Sequence, residues 1–386
     1  MSRRDQRQER QRRRRRNTLA AAAAVVVLVA VGAAALALGT GHQSVASAKS
    51  DGSSSSTAPT SSTTTTAPST PTTRGMTDGL SASDCPLTGL PAPGGKVPAR
   101  PALAVKIDNY PAARPQASLD HADLVFEEPV EGGITRFIGV YQCTEAPFIE
   151  PIRSARLIDP LILDQFGHIL FGFAGGIGYV RNLISHDPHI TDIDYFRDYS
   201  AYLRDPNRVP PYNLYSSTAT LWSLDARDHT PPAPLFSYAD AVPAGAPATL
   251  IHVPFSSYSD VWWHYVPSTH TYDRYNGNVL AADQAGRPIT TTNVVVEEID
   301  SYTTPYVENS EGATDIGLDL VGSGPLLVFR DGVVVSGHWA RSAAGAPTRL
   351  FDAKGHQIPL ARGRTWIELV PLHSAVFAHD TPTYAG

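Results

Sequence analysis

Two arginines spaced three residues apart, Arg153 and Arg156, are the side chains of this sequence best suited to bind an anion. They open a segment predicted to be helical over 155–166. Guanidinium groups beside the free backbone N–H groups of a helix start favour capture of a phosphate or carboxylate. A basic residue at that end opposes the helix dipole, so stability alone does not favour it there. The alternative is that both arginines form buried ion pairs with Asp159 or Glu150.

Three carboxylates lie shortly before these arginines, at Glu127, Glu128 and Glu131, and Arg136 follows them. On a β-strand, Glu127 and Glu131 would share one face and Glu128 would lie on the other. Carboxylates this close together can hold a metal ion or act as a general base. The alternative is a solvated strand end at which Arg136 pairs with a glutamate.

Two glycines, Gly175 and Gly176, lie between a predicted strand over 168–173 and a predicted helix over 179–184. Glycine lets the backbone turn tightly and approach a ligand, so this turn is a second candidate for anion binding. A purely structural turn is the alternative. Neither the phosphate-binding loop of nucleotide hydrolases nor the dinucleotide-binding fingerprint is present in the sequence.

The sequence gives weaker evidence for a metal site or a catalytic nucleophile. His186, His189, Asp192 and Asp194 carry metal-binding groups, but Pro188 prevents a helix from placing both histidines on one face, and no metal site is predicted. No Gly-x-Ser-x-Gly motif is present, which disfavours a standard serine hydrolase. Aromatic residues of the C-terminal half form either a carbohydrate platform or, more commonly, part of a core. They are Trp262, Trp263, Tyr272, Tyr275, Trp339 and Trp366.

The elements that position these residues fall into two regions. The first, 84–230, has predicted strands at 103–108, 123–130, 134–141 and 168–173 beside the two helices. This mixture indicates an α/β or α+β domain. A Pro/Ala-rich linker, 231–247, follows it.

The second region, 248–378, reads as mainly β and precedes a short tail, 379–386. Its short strands and glycine turns, including a tight turn at Asp331-Gly332, are typical of a small barrel or sandwich. The predicted strands are 249–254, 261–266, 293–299, 326–329, 333–338, 348–351, 357–360 and 365–370.

The N-terminal segment predicts a location in the envelope. A basic tail, 1–18, precedes an uncharged apolar stretch, 19–39, which as a helix would span about 30 Å. Basic residues on that flank hold it in the cytoplasm, so the rest of the chain lies outside. We interpret the stretch as a single signal-anchor helix; cleavage near Ala48, after Ala46-Ser47-Ala48, is the alternative.

Composition supports this location. The linker 40–83 is rich in Ser, Thr and Pro and has too few apolar groups to build a core. Residues 1–16 carry nine Arg, Asp5 and Glu9, a net of +7, so the remainder carries −6 − 7 = −13. An acidic exterior region does not favour a nucleic-acid partner. The sequence has two cysteines, Cys85 and Cys143. An even number of cysteines in the expected oxidising compartment favours a disulfide between them; a catalytic cysteine is the alternative.

Eight short segments carry a pattern that is specific in combination: 100–109, 113–116, 122–128, 131–136, 153–156, 211–215, 337–339 and 365–367. In these segments the sequence resembles the YerB-like family, a bacterial family of unknown function found in predicted lipoproteins. The resemblance covers nearly all of residues 86–372 and implies an envelope location and a two-part exterior region. Two departures are Tyr212, where the family often has His, and the lack of a lipid-bearing Cys after the apolar stretch.

Two functional hypotheses follow. The first is a non-catalytic envelope module, without a cofactor, that binds a wall polymer, a lipid-linked glycan or an envelope protein. It would use the surfaces formed by Arg153 and Arg156 and by Glu127, Glu128 and Glu131.

The second hypothesis is a phosphoryl-transfer or hydrolytic enzyme acting on a pyrophosphate-linked envelope precursor. The order of features is similar to that of the LytR-CpsA-Psr phosphotransferases, an analogy of layout alone. Asp108 or Asp123 would position a divalent metal or a base. Phosphate charge would be stabilised by Arg136, Arg153 and Arg156.

Overall fold

The computed structural model describes residues 79–309, 312–374, 377 and 382–386. The predicted basic tail 1–18, the apolar helix 19–39 and the cleavage site near Ala48 lie outside the described residues, as does most of the linker 40–83. Each helix within the described ranges is too short or too polar to cross a bilayer.

The described chain is mostly β-strand. Its α-helices are α1 (Asp159–Leu163), α2 (Gly178–His186) and α3 (Thr218–Trp222). The strands up to residue 230 are β1 (Ala102–Asp108), β2 (Leu124–Pro129), β3 (Thr135–Tyr141), β4 (Ile169–Phe173), β5 (Ile190–Asp194), β6 (Leu203–Arg204) and β7 (Leu214–Tyr215). The shorter strands that follow are β8 (Ala246–Pro247), β12 (Val279–Leu280), β13 (Thr290–Thr291), β18 (Arg349–Asp352) and β20 (Thr383–Ala385). The longer ones are β9 (Leu250–Ser256), β10 (Ser259–Val266), β11 (Thr271–Asn276), β14 (Asn293–Val307), β15 (Thr314–Leu318), β16 (Gly322–Arg330), β17 (Val333–Arg341) and β19 (Thr365–Leu372).

One long sheet contains strands from both predicted regions. Its order is β18-β17-β16-β14-β19-β2-β3-β1-β4-β5, with β15 paired to β14 and β8 to β17. Strand β19 lies between β14 and β2 and runs parallel to both. The second region is mainly β, as predicted, but it does not close into a barrel of its own. Its remaining strands form a smaller sheet in the order β12-β11-β10-β9-β20, with β13 on β11.

Alternating side chains of the long sheet enter two separate cores. On β1, Leu103 and Val105 face the smaller sheet, where they join one apolar cluster that includes Trp263. Ala102 and Ala104 face the opposite side and join the cluster of α1 and α2. Because both faces are covered, the central strands are buried at every position, which explains their nearly continuous apolar sequences.

The strands β1, β2, β4, β5, β14 and β19 all run in the same direction. Strand β4 pairs in parallel with β1 and with β5, and β19 pairs in parallel with β2 and with β14. Strand β3 lies between β1 and β2 and is antiparallel to both, so the two groups of strands have the same direction. Their carboxyl ends therefore meet along one edge of the sheet, which we call the carboxyl edge. Ligands of open α/β sheets bind at this edge.

The predicted helix over 155–166 was wrong at its start. Only α1 and a 3-10 turn, Asp164–Phe166, are helical there. Residues 151–155 are instead extended and fill the space where β1 and β4 diverge: Arg153 N donates to Lys106 O, and Ala155 N donates to Gly175 O. Open backbone groups at the strand ends need partners, and this pairing outweighs local helix propensity.

Most other predicted elements are confirmed. The four strands predicted in the first region and the helix at 179–184 match β1 to β4 and α2 within about two residues. Asp331 and Gly332 have φ of 52° and 75°, as the predicted tight hairpin turn requires. The segment 357–360 is not a strand, and β5 and β11 were not predicted.

Cys85 and Cys143 form a disulfide with an S–S distance of 2.06 Å. We predict that replacing both by Ser lowers the free energy of unfolding by about 4 kcal/mol, because the bond closes a long loop in the unfolded chain. Urea denaturation of the full chain measures the change. Wild-type protein in excess reductant is the matched control and should lose the same amount; an unchanged midpoint for both would contradict the prediction.

Candidate functional site at the carboxyl edge

Lys106 is the centre of a buried ion-pair cluster on the helix side of the sheet. Its Nζ forms ion pairs with Glu128 on β2 and with Asp159 Oδ1 of α1, the latter at 2.6 Å, and all three side chains are fully buried. Burial lowers the pKa of Lys106 to about 8, although Asp159 opposes the shift. Glu128 is thus the partner of an interior lysine, and it presents no surface to a ligand.

Arg136 and Arg156 share a second carboxylate, Glu131. Arg156 donates to both oxygens of Glu131, with its Nε 2.7 Å from Oε2, and its Nη1 lies 3.3 Å from Glu308 Oε2. Arg136 Nη2 lies 3.7 Å from Glu131 Oε1, and its Nη1 donates to Ser154 O at 2.8 Å. Arg156 therefore forms the kind of buried pair considered from the sequence, but with Glu131 rather than with Asp159 or Glu150.

The two arginines set the charge state of Glu131. Burial alone would raise its pKa, but the hydrogen bond from Arg156 and the positive charges of Arg136 and Arg156 outweigh burial and hold the pKa at about 2. Glu131 is consequently ionised at neutral pH. It neutralises guanidinium charge of Arg136 and Arg156, and Glu308 is the second carboxylate beside Arg156.

Arg153 differs from the other two arginines. Its Nε donates to Asp108 Oδ2 at 2.7 Å, but its two terminal nitrogens have no partner among the residues that the structure describes. The side chain is 28% exposed, and its guanidinium lies 5.9 Å from the ring centroid of Tyr212. Asp108 itself is fixed, because its Oδ1 accepts a hydrogen bond from Tyr110 N. Arg153 is oriented by this contact and keeps two donors for a ligand.

The Gly175-Gly176 turn packs directly against the arginine segment. Both residues have positive φ, 75° and 150°, and a Cβ on Gly176 would lie 3.1 Å from Ala155 O. Gly175 N donates to Asp194 Oδ1 at 2.9 Å. The turn therefore needs glycine for close backbone packing. It positions the start of α2 beside the segment that carries Arg153 and Arg156.

Glu127 lies on the other face of β2, between the two sheets. Its Oε2 accepts from Arg274 Nη2 at 2.7 Å, and its Oε1 accepts from Thr135 Oγ1 at 2.6 Å. The Arg274 guanidinium lies 5.2 Å from the Trp366 ring. Burial, and next the charge of Glu127, raise the pKa of the neighbouring Glu368 well above its usual value. We call Glu127, Arg274 and Glu368 the intersheet cluster.

Sequence reasoning missed Arg274 and Glu368. Arg274 is a charged residue at an inward position of the alternating strand Thr271–Asn276, and Glu368 is a charged residue inside the continuously buried strand Thr365–Leu372. That pattern is the signal that could have identified them. It would not have paired them with Glu127, which lies 147 residues before Arg274 in the sequence.

The prediction that Glu127 and Glu131 share a strand face was wrong. β2 ends at Pro129, and Glu131 begins a 3-10 turn in which Gly132 has a φ of 74°. Alternation therefore stops before Glu131. The solvated strand end was also wrong, because Glu127 and Glu128 are fully buried.

Asp123 lies at the opposite end of β2 from Arg136, Arg153 and Arg156. It precedes β2, five residues before Glu128, a distance of about 17 Å along an extended chain. Its Oδ2 accepts from the backbone N–H groups of Gln142 and Cys143, at 2.6 and 3.0 Å, and burial raises its pKa to about 6. Asp123 thus caps the end of β3 and does not join Asp108.

The remaining candidates from the sequence are the metal-binding side chains around His186 and the aromatic residues of the C-terminal half. His186 and His189 are exposed, and no group of three metal-binding side chains occurs within the described part of the chain. Trp263, Tyr272, Trp339 and Trp366 are buried, so four of the six aromatic residues considered as a carbohydrate platform pack in the cores.

Two family profiles match successive parts of the chain. The N-terminal and C-terminal domain profiles of DUF3048, a protein of unknown function, match residues 87–230 and 251–367. YerB of Bacillus subtilis (strain 168), a predicted lipoprotein, is 30% identical over 297 residues, which cover 74% of this chain and 86% of YerB. The crystal structure of YerB has the same fold, with a TM-score of 0.65 at 23% identity over 78% of this chain and 99% of the crystallised chain. The resemblance drawn from the sequence is confirmed.

We predict that Glu131→Gln lowers the free energy of unfolding by about 3 kcal/mol at pH 7, since its carboxylate pKa falls from 4.5 to about 2 on folding. A lowered pKa contributes stability that is complete above pH 4.5 and is lost as the pH falls toward 2. The difference from wild type should therefore shrink between pH 5 and pH 3.

Urea denaturation at pH 7, 5 and 3 measures this difference. Glu145→Gln is the matched control, because Glu145 is 67% exposed and forms a surface pair with Arg100. Its effect should stay below about 1 kcal/mol. An equal loss at pH 7 and pH 3 for Glu131→Gln would show that its charge is not the stabilising feature.

Proposed function

Since this chain belongs to the DUF3048 family, we propose that it is an envelope protein whose folded region binds an anionic group of an envelope polymer or partner at Arg153. The ligand classes that fit are a wall polymer, a lipid-linked glycan or an acidic envelope protein. Arg153 supplies the charge, and the carboxyl edge of the sheet supplies the location.

The location outside the cytoplasm rests on two arguments. The basic block at residues 12–16 followed by the apolar stretch 19–39 favours a single helix with the remainder of the chain outside. The relative YerB is a predicted lipoprotein, and a covalent lipid is a second way of attaching a protein to a membrane. In this chain a helix would take the place of the lipid, and cleavage near Ala48 would release the folded region instead.

The main support for this proposal is that Arg136, Arg153 and Arg156 differ in burial and in the number of their paired nitrogens. Glu131 and backbone carbonyl groups occupy Arg136 and Arg156, which are almost fully buried. Arg153 is partly exposed and uses only its Nε, for Asp108. A planar guanidinium with two free terminal nitrogens matches the oxygen pair of a phosphate or carboxylate.

The same geometry supports binding rather than turnover. A phosphoryl-transfer enzyme would need Asp108 or Asp123 to act as a base or to hold a metal ion near the bound phosphate. Asp108 is engaged by Arg153 and by Tyr110 N, and Asp123 lies at the other end of β2. No contact of the described residues favours the enzymatic alternative, so binding is the function that we propose.

We predict that the full-length chain, purified in detergent, binds inorganic pyrophosphate and that Arg153→Ala weakens this binding about 10- to 100-fold. The loss corresponds to one or two charge-assisted hydrogen bonds. Arg153→Lys should retain part of the affinity, because charge remains but the planar fork is lost. Isothermal titration calorimetry at low ionic strength measures each affinity.

Arg227→Ala is the matched control, because Arg227 is an exposed arginine with no ion pair among the described residues. It should bind pyrophosphate as the wild type does. Absence of binding by the wild type, or equal binding by Arg153→Ala, would remove Arg153 as the anion site.

A further inference from the structure

Three tyrosines form a surface beside Arg153, and we call them the tyrosine triad: Tyr110, Tyr212 and Tyr258. The rings of Tyr110 and Tyr212 are nearly parallel, at an angle of 12° with centroids 6.2 Å apart. The ring of Tyr258 lies 6.3 Å from that of Tyr110. The Arg153 guanidinium lies 5.9 Å from the centroid of the Tyr212 ring, so Arg153 lies beside the triad.

The triad is assembled from three separate segments. Tyr110 follows β1, Tyr212 precedes β7, and Tyr258 lies in the turn between β9 and β10. The first two fall within the range matched by the N-terminal family profile, and Tyr258 falls within that of the C-terminal profile. The surface therefore requires both parts of the family architecture to be present and packed together.

The tyrosine triad is exposed to solvent, and its hydroxyl groups are available for hydrogen bonding. Tyr110 and Tyr258 are 37% and 50% exposed. None of the three hydroxyl groups has a hydrogen-bond partner in the described part of the chain. A tyrosine in a core usually satisfies its hydroxyl group, and one at a binding surface offers an apolar ring with a polar tip.

The backbone around the triad is held in place by arginines. Arg114 Nε donates to Asn109 Oδ1 at 3.1 Å, and its Nη2 donates to Tyr258 O at 3.2 Å, so it links the loop of Tyr110 to that of Tyr258. Burial lowers the pKa of Arg114 to about 10, and it remains charged at neutral pH. Arg208 Nη2 donates to Ala113 O at 2.6 Å. A surface fixed in this way loses little conformational entropy when a ligand binds.

A saccharide matches this combination of groups. The ring of a pyranose has an apolar face of C–H groups, which stacks on an aromatic ring, and hydroxyl groups at its rim, which pair with phenolic hydroxyls. A phosphate on the same molecule would reach Arg153. An acidic peptide would use the guanidinium but would leave the exposed rings without a specific role.

We propose that the tyrosine triad is a saccharide subsite and that the ligand is a glycosyl phosphate, with its sugar ring on the triad and its phosphate on Arg153. This inference rests on the proposed function and narrows it to one chemical class. It assigns a role to Tyr212 and Tyr258, which the anion site alone does not require.

The test compares four probes on the full-length chain in detergent by isothermal titration calorimetry. They are N-acetylglucosamine 1-phosphate, glycerol 1-phosphate, free N-acetylglucosamine and adenosine monophosphate. We expect the sugar phosphate to bind about threefold to tenfold more tightly than glycerol 1-phosphate, since stacking adds to the contact of the phosphate. Adenosine monophosphate binding more tightly than the sugar phosphate would overturn the assignment to saccharides.

Variants separate the sugar contact from the phosphate contact. Tyr258→Ala should remove the preference for the sugar phosphate and leave glycerol 1-phosphate binding unchanged, and Tyr258→Phe should keep most of the preference. Tyr199→Ala is the matched control, because Tyr199 is 70% exposed and contacts Tyr195. It should change neither affinity. Thermal unfolding of each variant shows whether it folds; Tyr258 lies in an exposed turn between β9 and β10.

The outcomes distinguish the two proposals. If glycerol 1-phosphate binds through Arg153 but the sugar phosphate binds no more tightly, the saccharide subsite is wrong and the anion site stands. If no phosphate probe binds, both proposals fail. A preference that survives in Tyr258→Ala, Tyr110→Ala and Tyr212→Ala would also remove the triad as its source.

Discussion

The bidentate contact between Glu131 and Arg156 is the interaction on which the candidate site depends. It lies at the carboxyl edge, where the ends of several parallel strands bring charged residues together. Removing either partner would break a buried, bidentate ion pair, and Glu308 alone would then remain as the carboxylate beside Arg156. By holding Arg156, and Arg136 more loosely, Glu131 leaves Arg153 as the member of the trio that faces solvent.

Strand β2 shows the same constraint on both of its faces. Glu127 and Glu128 are adjacent, fully buried and directed to opposite sides of the sheet. Each is neutralised by one basic residue, Arg274 between the sheets and Lys106 beneath α1. A buried carboxylate is costly without a partner, and here each core supplies a cation for one of the two. The intersheet cluster therefore joins the two parts of the chain, because Glu127 and Arg274 come from different family domains.

Local pattern predicted much of the fold and little of the site. Alternating and continuous apolar runs identified β1 to β4, and a turn dipeptide identified the hairpin at Asp331. The extended segment before α1 was missed because its backbone partners, Lys106 and Gly175, are distant in sequence. The roles of Glu127 and Glu128 were missed for the same reason. No spacing in the sequence indicates that Tyr110, Tyr212 and Tyr258 meet, since tertiary packing alone brings them together.

A crystal structure of the full-length chain grown with pyrophosphate would show directly whether Arg153 binds the anion. We expect a phosphate group within hydrogen-bond distance of the terminal nitrogens of Arg153, with the pairing of Arg156 and Glu131 unchanged. Pyrophosphate bound to Arg156 in place of Glu131, or bound elsewhere with Arg153 vacant, would contradict it.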